Sequence, residues 1–323
     1  MRVTVLLFYG LLLGLVAADW KNDIPPAGDF DESAKLCKLV WEVNSFKDLE
    51  KADDFDFEPV AFEESVVDTE VAIVRSHRSD SIIVGFRGTN EVGDFSANAD
   101  ISQTDYFGLG LVHQGYKDKL LGGDLHIKLK NDILAELQDF PDYGVTITGH
   151  SQGAALATLF GAWLVGTNQL GEQQRVTAFP FGSPRVGNQD FKESVSSLQN
   201  YAVYRVVNEE DIVCRWPANF LNYEHVGHLI LVDFATRQSK AFFEQTGDGD
   251  KFRGVSTDEW QLGNFDRWRL AFNWRDSIDW FLDHDVRDYI GAIQLSMGGD
   301  ISWPTGFEEP IPVVPTCRWW FWC

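Results

Sequence analysis

Positive charge is scarce in this sequence. Its 323 residues carry 27 Lys and Arg against 49 Asp and Glu, which gives a formal net charge of -22. The acidic residues are spread along the chain rather than gathered in a tail. This distribution argues against nucleic acid as a partner and against electrostatic docking on anionic lipid.

Long apolar runs are scarce too, and the one that stands out is at the amino terminus. Arg2 precedes an apolar run from Val3 to Val16, and two small residues, Ala17 and Ala18, follow it. The run is too short for a comfortable bilayer span, whereas its length and flanks fit a secretory signal peptide better than an uncleaved anchor. We therefore predict a signal peptide at residues 1–18, a secreted, extracellular protein and no stable membrane span.

The rest of the sequence lacks linkers and low-complexity segments. Residues 19–323 are therefore expected to form a single domain, which is long but within the range of large α/β folds. The chain also lacks an N-x-S/T sequon, so N-glycosylation is not expected. Its oligomeric state is left open.

Cysteine is infrequent: the four are Cys37, Cys214, Cys317 and Cys323. In a secreted chain they suggest disulfide bonds, and the sequence does not choose among the possible pairings. The last two flank the segment RWWFW, which either forms an exposed, lipid-seeking loop or packs back on an amino-terminal helix containing Cys37. We favour packing, because terminal segments are commonly tied down in this way.

Alternating strand-like and helix-like segments make up most of the chain. Hydrophobic periodicity and turn residues predict the following elements. Strands are expected at 69–77, 81–88, 145–148, 176–182, 201–208 and 228–234, and helices at 31–43, at 113–140 with a break near Gly122 and Gly123, from Ser151, at 188–198 and at 285–295. This order predicts an α/β fold with a mainly parallel central sheet, helices on both faces, and a site beyond the carboxyl ends of the strands.

The segment VTITGHSQGAALATLFG, residues 145–161, runs from a strand directly into a helix with Ser151 at the junction. Such a turn is strained and crowds the positions two residues before and after the serine, which are Gly149 and Gly153 here. A serine in this place lies at a helix N-terminus, where backbone N–H groups can stabilise a developing oxyanion. Since GHSQG occurs once in the chain, we predict Ser151 as a nucleophile.

A serine hydroxyl needs a base to take its proton and a carboxylate to orient that base. On sheets of this type the three groups follow the chain order Ser, Asp or Glu, His. Asp211 follows the predicted strand YAVYRVVN within the segment NEEDIV, at the end of the strand where catalytic loops lie. We favour it over Glu209 and Glu210, which are interpreted as solvated loop charges.

Chain order leaves three histidines for the base: His225, His228 and His284. We choose His284, since it lies in FLDHDVRDYI, in a loop before the last predicted helix. His225 and His228 open a strand and are expected to make local hydrogen bonds. Their H-x-x-H spacing is only a weak metal signal, so we expect no metal and no organic cofactor.

Six segments, taken together, resemble the class 3 lipases, the filamentous-fungal triacylglycerol lipase family. In chain order they are IIVGFRGTNE, VHQGYKDKL, PDYGVTITGHSQGAALA, FGSPRVGN, YRVVNEEDIV and DHDVRDYI. The resemblance extends over residues 34–293. It implies an α/β-hydrolase fold and a catalytic triad of Ser151, Asp211 and His284, in agreement with the choice made from chain order.

The resemblance also implies an oxyanion hole and a lid. The oxyanion donors would be the backbone N–H groups of Thr89 and Gln152, and the lid would be the segment Asn90 to Ile101. Its apolar face, with Val92 and Phe95, is narrow, and Gly93 is a hinge candidate or a plain turn glycine. The sequence departs from the family at Gln152 (usually apolar), Ala154 (frequently glycine) and Cys214 (commonly proline in DIVP), so the reaction class carries over better than the substrate.

Three functions follow as hypotheses. The leading one is a secreted serine carboxylic ester hydrolase that acts on glycerolipids, with a lipid or ester substrate at an oil–water interface. The narrow apolar face of the lid keeps open a soluble-ester or feruloyl esterase. A catalytically silent lipid-binding relative is disfavoured because the triad residues are present.

Overall fold

The computed structural model describes residues 27–51, 57–66, 68–88, 101–208, 211, 213–233 and 238–242. Several predictions fall outside these residues and stay predictions. They are the signal peptide, Thr89, the lid residues Asn90, Val92, Gly93 and Phe95, the base His284, the helix at 285–295, and Cys317 and Cys323.

Ten strands lie in the described part of the chain. They are β1 (Glu58–Glu64), β2 (Glu70–Ser76), β3 (Ser81–Phe86), β4 (Gln103–Asp105), β5 (Leu111–His113), β6 (Gly144–His150), β7 (Val176–Phe181), β8 (Tyr201–Asn208), β9 (His228–Asp233) and β10 (Gln238–Phe242). Eight of them form one sheet in the order β1-β2-β3-β6-β7-β8-β9-β10, and β4 pairs with β5 in a separate hairpin. The five central strands, β3 and β6 to β9, are parallel, while β1, β2 and β10 pair antiparallel at the two sides. The predicted mainly parallel sheet is confirmed.

Six α-helices accompany these strands in the described residues. They are α1 (Ala27–Glu42), α2 (Phe46–Leu49), α3 (Gln114–Leu121), α4 (Leu125–Asp139), α5 (Gln152–Gly166) and α6 (Gln189–Ser197). The predicted break between α3 and α4 falls at a 3₁₀ turn, where Gly123 has φ 59° and Asp124 has φ 57°. Within the residues described, none of the helices is both long enough and apolar enough to cross a bilayer.

Alternate side chains of the sheet pack against helices on its two faces. Val71 and Ile73 of β2 lie in the main core with α3, α4 and α5. Their neighbours Ala72 and Val74 pack on the opposite face against α1. Because successive strand residues point to opposite faces, a sheet that is apolar on both faces has to be covered on both. Helix α5 is buried along most of its length, as expected for a helix without a polar face.

Four strands were not predicted. The sequence of β1, EPVAFEE, carries three acidic residues and a proline, so it lacks the apolar pattern of a strand. It lies at the edge of the sheet, where Pro59 is tolerated and the register shifts between Pro59 and Ala61. Strands β4 and β5 have three residues each, and β10 is largely polar, so none of them gave a periodic signal.

Two of the four cysteines can be located. Cys37, on α1, and Cys214 are buried thiols in the structure, so they do not form a disulfide with each other. Burial raises the pKa of the Cys37 thiol far above its usual range. Because both residues are thiols and not part of a disulfide, the pairing that stays a prediction is Cys317 with Cys323, which lie outside the described residues.

Candidate active site

Ser151 stands on a sharp turn between β6 and α5. Its backbone has φ 57° and ψ -122°, a conformation that non-glycine residues rarely adopt and that usually marks function. The turn is fixed on both sides: the Ser151 N–H donates to Phe181 O at 3.0 Å, and Ser151 O accepts from the N–H of Ala154 at 3.0 Å. The chain therefore holds this serine in one strained position at the carboxyl edge of the parallel strands.

Glycine is required on each side of the serine. A Cβ atom added to Gly149 would lie 2.5 Å from Gly153 O and 2.9 Å from Phe86 O, and one added to Gly153 would collide with the same Phe86 carbonyl. These obstacles are backbone atoms of α5 and β3, which cannot rotate away. The crowding predicted from the sequence is present, because the elbow packs directly on the end of β3.

Replacing Gly149 with Ala is therefore expected to destabilise the protein and to lower its activity. Gly144, at the start of the same strand, has no atom within 4 Å of an added Cβ and is the matched control. Overpacking of this kind costs about 1–3 kcal/mol of unfolding free energy, whereas Gly144→Ala should change it by less than about 1 kcal/mol. Urea unfolding of both variants measures the difference, and equal stability would contradict a tightly packed elbow.

The Ser151 hydroxyl is buried, with 1% of the residue exposed. Its Oγ has no hydrogen-bond partner among the residues that the structure describes. A buried hydroxyl without a partner is unfavourable, and active sites are where such groups are retained. The predicted base, His284, is outside the described residues, so its distance from Ser151 Oγ is not measured.

Asp211 lies beyond the carboxyl end of β8 and is completely buried. Its N–H donates to Asn208 O at 3.1 Å, which turns the chain back at the end of the strand. Among the described residues, the Val213 N–H donates to Oδ1 of the carboxylate at 2.8 Å and the Cys214 thiol donates to Oδ2 at 3.3 Å. Burying an ionised carboxylate costs free energy, so such a group is found buried where it is well hydrogen-bonded or has a function.

The loop that follows Asp211 is held in place by Arg185, which is buried, and by His225, which is partly buried. Arg185 donates from Nη1 to Arg215 O and, at 3.0 Å, to Pro217 O. His225 Nε2 is 2.6 Å from Cys214 O and donates to it. These bonds satisfy carbonyls that would otherwise be buried without partners, so they fix the backbone that presents the Asp211 carboxylate.

His225 has the local hydrogen-bonding role that the sequence suggested. Burial, and next the positive charge of Arg205, lower the pKa of His225 well below its usual range. It is therefore a neutral imidazole at physiological pH. His228 is buried, and its ring lies 5.3 Å from that of Tyr204.

The predicted oxyanion donors lie at one end of α5 and after β3. Gln152 is the first residue of α5, so its N–H has no partner within the helix and is available to an oxyanion. Thr89 is outside the described residues, but Gly88 before it packs against the elbow: an added Cβ would lie 2.6 Å from His150 O. Gly88 thus lies beside the residue that precedes Ser151.

Sequence reasoning missed two contributors to the site. It noted Arg185 only as part of the motif FGSPRVGN, and nothing in that motif indicates a partner 30 residues away. It recorded Cys214 as a departure from the family without a role. The spacing Asp-x-x-Cys was the available signal, since a side chain three residues after an aspartate can donate back to its carboxylate.

The fold and the elbow define the class of protein. A mainly parallel sheet covered by helices on both faces, with a serine on a glycine-flanked strand-to-helix turn, is an α/β-hydrolase. Solved structures agree on the fold. The native Rhizomucor miehei lipase–propeptide complex matches with a TM-score of 0.58 and 22% identity over 72% of this chain and 75% of that chain. A Penicillium expansum triacylglycerol lipase matches with a TM-score of 0.56 and 18% identity over 73% of this chain and 90% of that chain.

A family model matches the middle of the sequence. Residues 83–221, which include the elbow and Asp211, match the family model described as lipase (class 3). Over these residues the chain is similar to the class 3 lipases, and the resemblance drawn from its motifs is confirmed.

Curated relatives fall into two groups by name. Phospholipase A1-II 1 of rice (Oryza sativa) is 30% identical over 171 residues, which are 47% of this chain and 43% of that protein. The chloroplastic phospholipase A1-Igamma1 of Arabidopsis thaliana is 38% identical over 128 residues, 33% of this chain and 24% of that protein. A lipase of Rhizomucor miehei is 28% identical over 164 residues, 50% of this chain and 44% of that protein. The chain thus spans less than half the length of each of these relatives.

Proposed function

We propose that this protein is a serine carboxylic ester hydrolase that works through an acyl-enzyme on Ser151. The observation that carries the proposal is the placement of a strained, buried serine and a buried, hydrogen-bonded aspartate beyond the carboxyl ends of β6 and β8. Both positions match the nucleophile and acid of a Ser-Asp-His triad in chain order. His284 completes the triad as the base.

The reaction then follows in two steps. His284 accepts the Ser151 proton as Oγ attacks the ester carbonyl, and Asp211 stabilises the imidazolium that forms. The N–H groups of Thr89 and Gln152 hold the oxyanion, a contribution of about 3 kcal/mol for each donor. The alcohol leaves with the proton from His284. Water, activated by the same histidine, hydrolyses the acyl-enzyme to the free acid.

Glycerolipids are the proposed substrate class, and the protein is proposed to be secreted. Relatives named phospholipase A1 and lipase support the substrate, and the apolar run of residues 3–16 supports secretion. The second candidate is an esterase for soluble esters, including feruloyl esters. The acidic residues Glu91, Asp94 and Asp100 in the lid candidate favour it, since they narrow the apolar face that would meet lipid.

The test is the initial rate of hydrolysis of a short-chain glycerol ester, measured against its concentration through the solubility limit. A sharp rise when droplets form is expected for a lipase, because the lid opens where its apolar face meets the interface. The same curve is measured with Ser151→Ala to remove non-enzymatic hydrolysis. Saturation below the limit with no rise would identify the soluble-ester esterase instead. An inactive wild-type protein would overturn the proposed function.

A further inference from the structure

Cys214 touches the proposed catalytic acid at a position where the family commonly has proline. It is 4% exposed, and its Sγ lies 3.3 Å from Asp211 Oδ2. A thiol is a weak hydrogen-bond donor, while a carboxylate is acceptor-only when ionised, so the proton of this bond belongs to sulfur. Cys214 therefore supplies the carboxylate of Asp211 with a side-chain donor.

The two carboxylate oxygens of Asp211 accept from different kinds of donor. Oδ1 accepts from a backbone N–H, that of Val213, which any residue at 213 except proline would provide. Oδ2 accepts from the Cys214 side chain, so this bond can be strengthened or removed by mutation without altering the backbone. The Cys214 carbonyl is bound separately by His225. The backbone position of residue 214 is thus held independently of its thiol.

The surroundings of the thiol are cationic. Cys214 lines a small cavity together with Arg185, Arg205, Arg215 and His225. Burial and the nearby Arg205 lower the pKa of Arg185 to about 10, with Glu224 acting in the opposite direction, so Arg185 keeps its charge at neutral pH. His225 is neutral there because its pKa is depressed. The described acid that the thiol contacts is Asp211.

We propose that Cys214 is a positioning residue of the reaction: its S–H bond to Asp211 Oδ2 orients this carboxylate and limits how strongly it stabilises the protonated catalytic histidine. The inference rests on the proposed function, because it requires Asp211 to act on a histidine. The positive end of the S–H dipole faces the carboxylate and weakens its pull on the imidazolium. Removing the donor strengthens that pull, and a better donor weakens it further.

The first test is the pH profile of kcat/KM for soluble ester hydrolysis by the wild type, Cys214→Ala and Cys214→Ser. The acidic limb reports the base in the free enzyme. It is expected to move up by roughly half a pH unit in Cys214→Ala and down by a similar amount in Cys214→Ser, since a hydroxyl donates more strongly. Cys37→Ala is the control, because Cys37 is a second buried thiol and lies on α1. The acidic limb of the pH profile of this variant should coincide with that of the wild type.

The second test does not depend on activity. The infrared difference between wild type and Cys214→Ala isolates the S–H stretching band of Cys214. That band is expected to shift when Asp211 is replaced by Asn, because an NH₂ group, which does not accept, then takes the place of Oδ2. Cys214→Ser keeps the side-chain volume and a donor, so it remains informative if Cys214→Ala folds poorly by near-ultraviolet circular dichroism.

The outcomes separate the two proposals. An unchanged band in Asp211→Asn would overturn the thiol–carboxylate bond whatever the activity. A shifted band with coincident pH limbs would leave the bond as a structural contact and overturn the positioning role alone. A wild type that neither hydrolyses esters nor reacts with a fluorophosphonate would overturn the proposed function, and the positioning role with it. The inference is supported if the acidic limb of the pH profile moves up in Cys214→Ala and down in Cys214→Ser while that of Cys37→Ala coincides with the wild type.

Discussion

Replacement of Ser151 with Ala is expected to reduce ester hydrolysis by about a millionfold in kcat, the scale seen when a serine protease loses its nucleophile. The variant retains a Cβ atom, so the strained backbone at φ 57° is neither relieved nor worsened. The lost hydroxyl has no hydrogen-bond partner among the described residues, and its removal therefore costs no described bond. Activity should fall while the free energy of unfolding stays nearly unchanged.

The matched control is Ser81→Ala. Ser81 is also buried and lies at the opposite end of the sheet, where its Oγ is 2.8 Å from Thr146 Oγ1. Its removal should cost about 1 kcal/mol of stability and leave turnover unchanged. Covalent labelling by a fluorophosphonate, located by mass spectrometry, should modify Ser151 in the wild type and in Ser81→Ala. Retention of label or of wild-type turnover in Ser151→Ala would refute the nucleophile.

The fold was largely predictable because most of its elements have strong local patterns. The spacing of Leu36, Leu39, Val40 and Val43 predicted one apolar face, and all four are buried. Strands β3 and β8 were also recovered, because SIIVGF and YAVYRVVN are short segments rich in β-branched and aromatic residues. What was missed depends on neighbours: β1 becomes a strand because β2 offers it an edge to pair with, and the sequence of β1 alone carries no such information.

Site residues could be predicted where a short stretch of sequence marks them, and not where they depend on tertiary contacts. The glycines around Ser151 are diagnostic because part of the steric exclusion is local: a Cβ atom added to Gly149 would meet the carbonyl of Gly153, four residues later. Asp211 could be chosen by its place after a strand, since parallel strands align their carboxyl ends. The clamp by Arg185 on the carbonyls of residues 215 and 217 requires the folded loop, as does the polarity of the cavity beside Cys214. No sequence pattern encodes these tertiary contacts.

Replacement of Asp211 with Asn is the second large effect expected. The corresponding change in a serine protease triad lowers kcat about ten-thousandfold by leaving the histidine in the wrong tautomer. The local bonds make the same outcome expected here. The carboxylate accepts from both the Val213 N–H and the Cys214 thiol, whereas an amide has one acceptor oxygen and a donor NH₂ group. The oxygen will stay with Val213, so the NH₂ group replaces the acceptor that orients the base.

The fold of Asp211→Asn should be retained, since the two side chains have nearly the same shape. Asp139→Asn is the control, because Asp139 is exposed at the end of α4 and its substitution should leave kcat unchanged. The variants Glu209→Gln and Glu210→Gln decide whether the acid has been assigned to the correct residue of NEEDIV. If the kcat of Asp211→Asn stayed within tenfold of the wild type while Glu209→Gln or Glu210→Gln abolished turnover, Asp211 would have a structural role only. If only Asp211→Asn lost turnover, Asp211 would be the acid of the triad. Burial makes it costly to keep a carboxylate ionised, so the buried carboxylate would then be maintained at this position for its effect on the histidine.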